Sequence, residues 1–299
     1  MDALKTLLYD TAYAGYTLVT VLYLLYAFTR RESFSRAALN LLAASVALHL
    51  GSIGLRVVAA HLLPEQSGRD APWGSWNDSL SIFALMVAVI FLAVKAYARM
   101  PILGAFVMPC TWTLLTFALA HPYFSGGAPA VEAPSVKIPP ITSDMKSHWL
   151  AVHIPVTFLA YAALTNAFGV GLAYLLQERQ IKSRRPGELS YRLPSLEDLD
   201  RLVARLIYLA FPALTVGLVL GAWWAHVAWG RFWGWDAKET WALITWLVYL
   251  AYLVARHAFD WRGRRATYLS LAGFGIVLFT YVGVNYLSEL HGFLSYKGR

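Results

Sequence analysis

Seven of the chain's twelve tryptophans fall within residues 223–246: Trp223, Trp224, Trp229, Trp233, Trp235, Trp241 and Trp246. The stretch reads W-W-A-H-V-A-W-G-R-F-W-G-W-D-A-K-E-T-W, with Gly230, Gly234 and Asp236 interleaved. Indole rings bury large apolar areas and offset-stack on flat π systems. A slab of them suits a flat apolar ligand, a macrocycle in preference to a sugar or phosphate. An aromatic belt at a membrane boundary also enriches tryptophan, but a belt scatters over many helix ends, whereas here one loop holds them. Asp236 and Glu239 close the segment where a helix should begin. Acids there complement the helix dipole; as a pair they could also pass for a carboxylate acid–base site. Capping with loop bracing is the preferred reading.

The elements that position this segment are membrane helices. Of 299 residues, 58% are hydrophobic and 14% charged, against about 45–50% and about 25% in soluble domains. That excludes a soluble enzyme with one core. Apolar runs bounded by charges predict eight transmembrane helices, near 8–29, 37–60, 79–98, 102–120, 148–177, 203–224, 239–256 and 267–288. The first is read as a retained helix, because no small-residue cleavage signature follows it. No stretch alternates like barrel strands. The expected fold is an all-α polytopic bundle. It divides into an N-terminal four-helix region (1–120), a proline-rich extracytoplasmic loop (121–147) and a C-terminal region (148–299). Ser195, with Asp198 at capping-box spacing, is the expected cap of the helix leading into the sixth span.

Charge gives direction. Alternate loops, counted with the adjoining span ends, hold 16 basic residues on one side and 8 on the other, which leaves Arg56 inside a span. The richer side should be cytoplasmic, leaving both termini and the tryptophan loop outside. The net charge of +8 is therefore an orientation signal and implies no nucleic acid. The single cysteine, Cys110, excludes an internal disulfide, a CxxC pair and a CxxCH haem-attachment site. No Ser/His/Asp triad, P-loop or metal-hydrolase motif is present.

The segment W-G-R-F-W-G-W-D-A-K-E-T-W, followed by A-L-I-T-W-L-V-Y-L-A-Y-L, resembles the WWD domain of haem-handling proteins of cytochrome c biogenesis. Within that group the chain resembles the CcsA (ResC) family. S-H-W-L-A-V-H-I-P-V-T-F-L-A-Y-A-A-L and the ending R-G-R-R-A-T-Y-L-S-L-A-G-F-G-I-V-L-F-T-Y-V-G-V-N-Y-L are similar to further family segments. The likeness is good over about residues 145–296 and looser before them. It implies a haem-handling subunit of the membrane cytochrome c synthase. Such a protein binds haem b transiently at the outer face and presents it for thioether attachment to the CxxCH segment of apocytochrome c. The implied partner is a CcsB (ResB)-type membrane protein. The implied location is the cell (inner) membrane, or the thylakoid membrane in a plastid. Alternatives are a CcmC-like protein passing haem to a carrier, and a b-type cytochrome redox subunit with ligand pairs inside the bilayer.

Neutral imidazole commonly holds haem iron, and the chain has eight histidines. The charge count puts His153 and His291 on the side of the tryptophan loop. The resemblance implies that these two are the external axial ligands, over a platform of Trp223, Trp224, Trp229, Trp233, Trp235, Asp236 and Trp241. His148 lies five residues earlier, at a different angle on the helix, and is the expected decoy. A further family histidine falls at Val254, which cannot ligate iron. His257, about one turn on, is either its substitute or a solvated helix-end residue. His226 stands where the family often has a polar residue and is a candidate partner for a propionate. His49 and Arg56 share a face of the second span. An intramembrane arginine is a functional candidate, and three readings stand: a propionate partner, a partner of an acid such as Asp78, or a snorkelling side chain.

Overall fold

In a computed structural model of the chain, the described residues are 2–29, 31–62, 76–124, 148–183, 187 and 190–286. They form eight long helices: α1 (Asp2–Thr29), α2 (Glu32–Leu62), α3 (Trp76–Ala98), α4 (Gly104–Phe124), α5 (His148–Lys182), α6 (Leu196–Trp229), α7 (Ala237–Ala258) and α8 (Arg264–Tyr281). No strand occurs among the described residues. Most of the loop expected at 121–147 lies outside them, as does everything after Tyr286, including His291.

Among the described residues, seven helices are long and apolar enough to cross a membrane, so the chain is a multi-pass membrane protein. The eighth expected span differs. Helix α8 has 18 residues and rises about 27 Å at 1.5 Å per residue. Its full length includes Arg264 and Arg265, which lower its apolar character. Helices α5 and α6, at 35 and 34 residues, run about 50 Å and so outreach the hydrocarbon core of about 30 Å. The expected sixth span is only the middle of α6, which starts seven residues earlier. Its N-terminus is capped as the sequence predicts: Ser195 Oγ accepts from the Asp198 amide at 3.1 Å and donates to the Asp198 carboxylate at 2.7 Å.

The chain forms two compact units. The first combines α1–α4 with α5 from Leu172 onward and the connector to Leu199. Its core is aromatic and aliphatic, with Tyr16, Tyr23, Leu42, Phe83, Phe91 and Met108 fully buried. Tyr23 on α1 meets Phe91 on α3 edge to face at 5.6 Å. Tyr13 of α1 shares a hydrogen bond with Thr116 of α4 at 3.1 Å. The Arg192 guanidinium covers the carbonyl end of α1, donating to Ala27 and, at 3.2 Å, to Phe28. Those carbonyls have no intrahelical partner, and a cation suits the negative end of the helix dipole.

The second unit holds α5 up to Gly171 and the chain from Asp200 onward. Phe168 of α5 stacks on Phe274 of α8 at 4.5 Å. Trp246 of α7 stacks on Phe211 of α6 at 5.4 Å and donates its indole N–H to Thr215 at 2.8 Å. Thr245 of α7 bonds Thr280 of α8 at 3.0 Å. The α7–α8 turn is pinned by Asp200 of α6, whose carboxylate takes both Nη atoms of Arg256 (3.2 and 2.7 Å) and the Gly263 amide (2.8 Å).

Candidate functional site

One end of the second unit gathers the starts of α5 and α7 with the ends of α6 and α8. His153 sits on the second turn of α5, half-buried against α6. Its Nδ1 donates to the Gly217 carbonyl at 2.9 Å. A carbonyl only accepts, so this bond fixes the proton on Nδ1 and leaves the Nε2 lone pair available. Nε2 makes no hydrogen bond among the described residues. Second-side anchoring of this kind is what orients a metal-ligating histidine.

The close approach depends on glycine. A Cβ built on Gly221 would lie 3.0 Å from His153 Cε1, and one on Gly217 would lie 2.7 Å from Thr157 Oγ1. The pair forms a Gly-x-x-x-Gly step on α6, the pattern that lets membrane helices approach closely. Their four-residue spacing is the sequence signal for this approach.

The tryptophan segment leaves α6 at Gly230, which has φ +74° and donates to the His226 carbonyl at 2.8 Å. That left-handed residue ends the helix in the manner of a C-terminal glycine. Trp235 also has positive φ (57°) and is 70% exposed. Such a backbone is uncommon for a bulky residue and is held by its surroundings. Asp236 and Glu239 supply them. Asp236 caps α7, with Oδ2 accepting from the Lys238 amide at 3.1 Å, and Glu239 completes a capping box. The Glu239 carboxylate takes the Gly234 amide at 2.6 Å and the Asp236 amide at 3.3 Å. Capping and bracing are thus what the two acids do here.

The indoles have different surroundings. Trp233 meets Trp235 edge to face at 5.8 Å. Trp223 tilts against Phe232 at 5.9 Å, and His226 stacks flat on the same ring at 4.1 Å and 6°. Trp224 is half-buried, while the Trp229 side chain lies outside the described residues. Trp241 packs on Phe279 of α8 at 4.4 Å, and Trp246 belongs to the helix packing. Trp223 is 45% exposed and Phe232 49%, so an aromatic surface remains open beside the loop. Lys238, on the first turn of α7, is half-buried and within electrostatic reach of both His153 and Asp236. Nothing in the sequence had singled it out.

At its C-terminal end α8 lies close to α5 and α7. Tyr281 meets Phe158 and Tyr161 of α5 at 5.7 and 6.3 Å. Thr280 donates to the Trp241 carbonyl at 3.2 Å. His291 follows ten residues later, outside the described residues, and the His148 side chain is also outside them.

The remaining histidines fall elsewhere. His257 is exposed at the far end of α7, its Nδ1 donating to the Leu253 carbonyl at 2.9 Å and its ring tilted on Tyr208. Val254 is 46% exposed. His49 and Arg56 lie in the first unit. His49 is fully buried, bonded to Ser81 at 2.7 Å and flanked edge-on by Tyr9 and Tyr16. Arg56 pairs with Asp78, the acid that the sequence offered among its alternatives. No cluster of three metal-ligating side chains exists among the described residues.

Residues 73–291 match the family described as cytochrome C assembly protein. The cytochrome c biogenesis protein CcsA of Guillardia theta is 34% identical over 227 residues, covering 71% of this chain and 72% of its own. CcsA of Gloeobacter violaceus is 31% identical over 343 aligned positions, covering 97% and 96%. A solved structure of the cytochrome c haem lyase CcmF superposes with TM-score 0.62 at 19% identity, covering 99% of this chain and 47% of CcmF. That last likeness is one of fold, and this chain spans about half of CcmF's length.

Proposed function

Because the chain belongs to the CcsA family of cytochrome c assembly proteins, we propose that it is the haem-handling subunit of a membrane cytochrome c synthase. In this reading haem b is cargo, bound transiently between His153 and His291 and resting on Trp223, Trp224, Trp229, Trp233, Trp235 and Trp241. The region 148–299 carries this task. A CcsB (ResB)-type membrane protein completes the synthase, and apocytochrome c supplies a CxxCH segment.

The carrying observation is the His153–Gly217 hydrogen bond. It gives the imidazole the tautomer and the fixed ring plane that axial ligation needs. The open aromatic surface at Trp223 and Phe232 fits a flat apolar ring, and Lys238 provides a cation at the same end for a carboxylate of the cargo. The protein's part is binding, orientation and electrostatics. Haem brings two vinyl groups, across each of which a CxxCH thiol adds: one C–S bond forms, the C=C π bond opens and the proton passes to the neighbouring carbon, with no net oxidation. The charge distribution supports placing this end of the unit on the extracytoplasmic side of the cell (inner) membrane, or of the thylakoid membrane in a plastid protein.

The test is the absorption spectrum of the purified protein beside His153→Ala and His291→Ala. Low-spin haem with two nitrogen ligands is expected in the wild type, weakened in each variant and restored by imidazole. Undiminished haem and full cytochrome c maturation in both variants would sink the assignment.

A further inference from the structure

The ends of α6 and α7 remote from the tryptophan segment form a basic cavity. It has a volume of about 300 Å³ and is lined by Arg201, Arg205, Tyr208, Arg256, His257 and Arg262. Arg201, Arg205 and Tyr208 follow one another at helical spacing, so one face of α6 presents them together. Across from them, Arg256 is held by both oxygens of Asp200, with the two side chains only 11% and 10% exposed. Arg262 is paired with Asp260 at 2.8 Å at the open rim. Tyr208 and His257 pack ring to ring at 5.6 Å. Residues 197–206 and 256–265 together carry six arginines against four acids; the surplus of two comes from Arg264 and Arg265, which follow Arg262 in the chain and lie outside the cavity lining.

The surroundings are apolar. The turn that carries Arg262 also carries Phe259, 69% exposed, and Trp261, 38% exposed, and Leu209 of α6 is 49% exposed. A soluble anion gains nothing from such neighbours. A lipid does: its phosphate meets the guanidinium forks while Trp261 and Phe259 sit at the boundary between headgroup and acyl chain. Guanidinium groups match phosphate oxygens in two-pronged geometry, and basic pockets between membrane helices take anionic headgroups. We propose that this cavity binds the phosphate of an anionic phospholipid headgroup at the membrane surface. The site is separate from the proposed haem site and stands or falls without it.

The experiment counts lipids retained by the purified full-length chain, by native mass spectrometry after reconstitution in mixed phosphatidylglycerol and phosphatidylcholine. The wild type should retain phosphatidylglycerol in preference to phosphatidylcholine, and Arg201→Gln with Arg205→Gln should weaken retention by about five-fold per arginine. Lys182→Gln, on an exposed pair elsewhere, should leave it unchanged. Arg201→Lys with Arg205→Lys keeps the charge without the fork, so intermediate retention is expected there even if the glutamine variant fails to fold. Equal retention of the two lipids, unchanged retention in both double variants, or full displacement of the lipid by millimolar inorganic phosphate would each overturn the proposal. The last outcome would mark a free-phosphate site.

Discussion

The imidazole of His153 on α5 gives its Nδ1 proton to the Gly217 carbonyl on α6, 2.9 Å away, so the tautomer of one helix's histidine is set by its neighbour's backbone. Gly221, one turn further along α6, lies against that ring at Cε1. Gly221→Val should push the imidazole aside, at a cost near the usual ~1–3 kcal/mol for overpacking. The expected result is reduced haem per protein and a partly high-spin spectrum, with Gly221→Ala milder. A wild-type spectrum and haem content in Gly221→Val would show that the ring position is not constrained by α6.

Asp236 separates capping from acid–base chemistry. Asparagine caps helices as well as aspartate does, whereas alanine costs about 0.5–2 kcal/mol. Asp236→Asn is therefore expected to keep cytochrome c maturation near wild type, while Asp236→Ala lowers both thermal stability and maturation. Loss of maturation in a stable Asp236→Asn protein would instead assign the carboxylate a chemical part.

Arg256 and Asp200 form a well-shielded ion pair in the second unit, and the Gly263 amide shares the carboxylate. Removing one partner of such a pair costs about 3–5 kcal/mol. Asp200→Ala should accordingly lower the unfolding midpoint in detergent strongly, and Asp200→Asn less, since an amide oxygen still accepts from Gly263. Equal midpoints for all three proteins would mean that the α7–α8 turn is held by other contacts.

In the first unit, Arg56 and Asp78 are each other's partners. A double-mutant cycle with Arg56→Gln and Asp78→Asn should show coupling of about 0.5–3 kcal/mol, the double variant being less damaged than the sum of the singles. Additive losses would reveal that each residue acts on something else.

Type of element was legible from composition because apolar runs long enough to cross a bilayer have few alternatives. Helix ends were not: α6 begins at Leu196 and α5 reaches Lys182, since polar turns continue a helix beyond the bilayer and hydropathy falls silent there. Capping at Ser195 and Asp236 was readable because it depends on neighbours in sequence. The His153–Gly217 bond joins residues 64 positions apart, and no local pattern announces which backbone carbonyl will meet a ring. Lys238 was hidden for the same reason. Arg56 was readable as a charge inside a span with its partner, or its snorkelling, left open, while the choice of Asp78 required the packing of α2 on α3.

The division among the indoles has an optical consequence. Trp246, stacked on Phe211 and bonded to Thr215, should emit at shorter wavelength than Trp235, which is 70% exposed. Trp246 thus contributes to the blue side of the protein's own fluorescence and Trp235 to its red side, and the difference between wild type and Trp235→Phe isolates the loop. A cargo that settles on the loop would darken the red edge of an emission spectrum with no label attached.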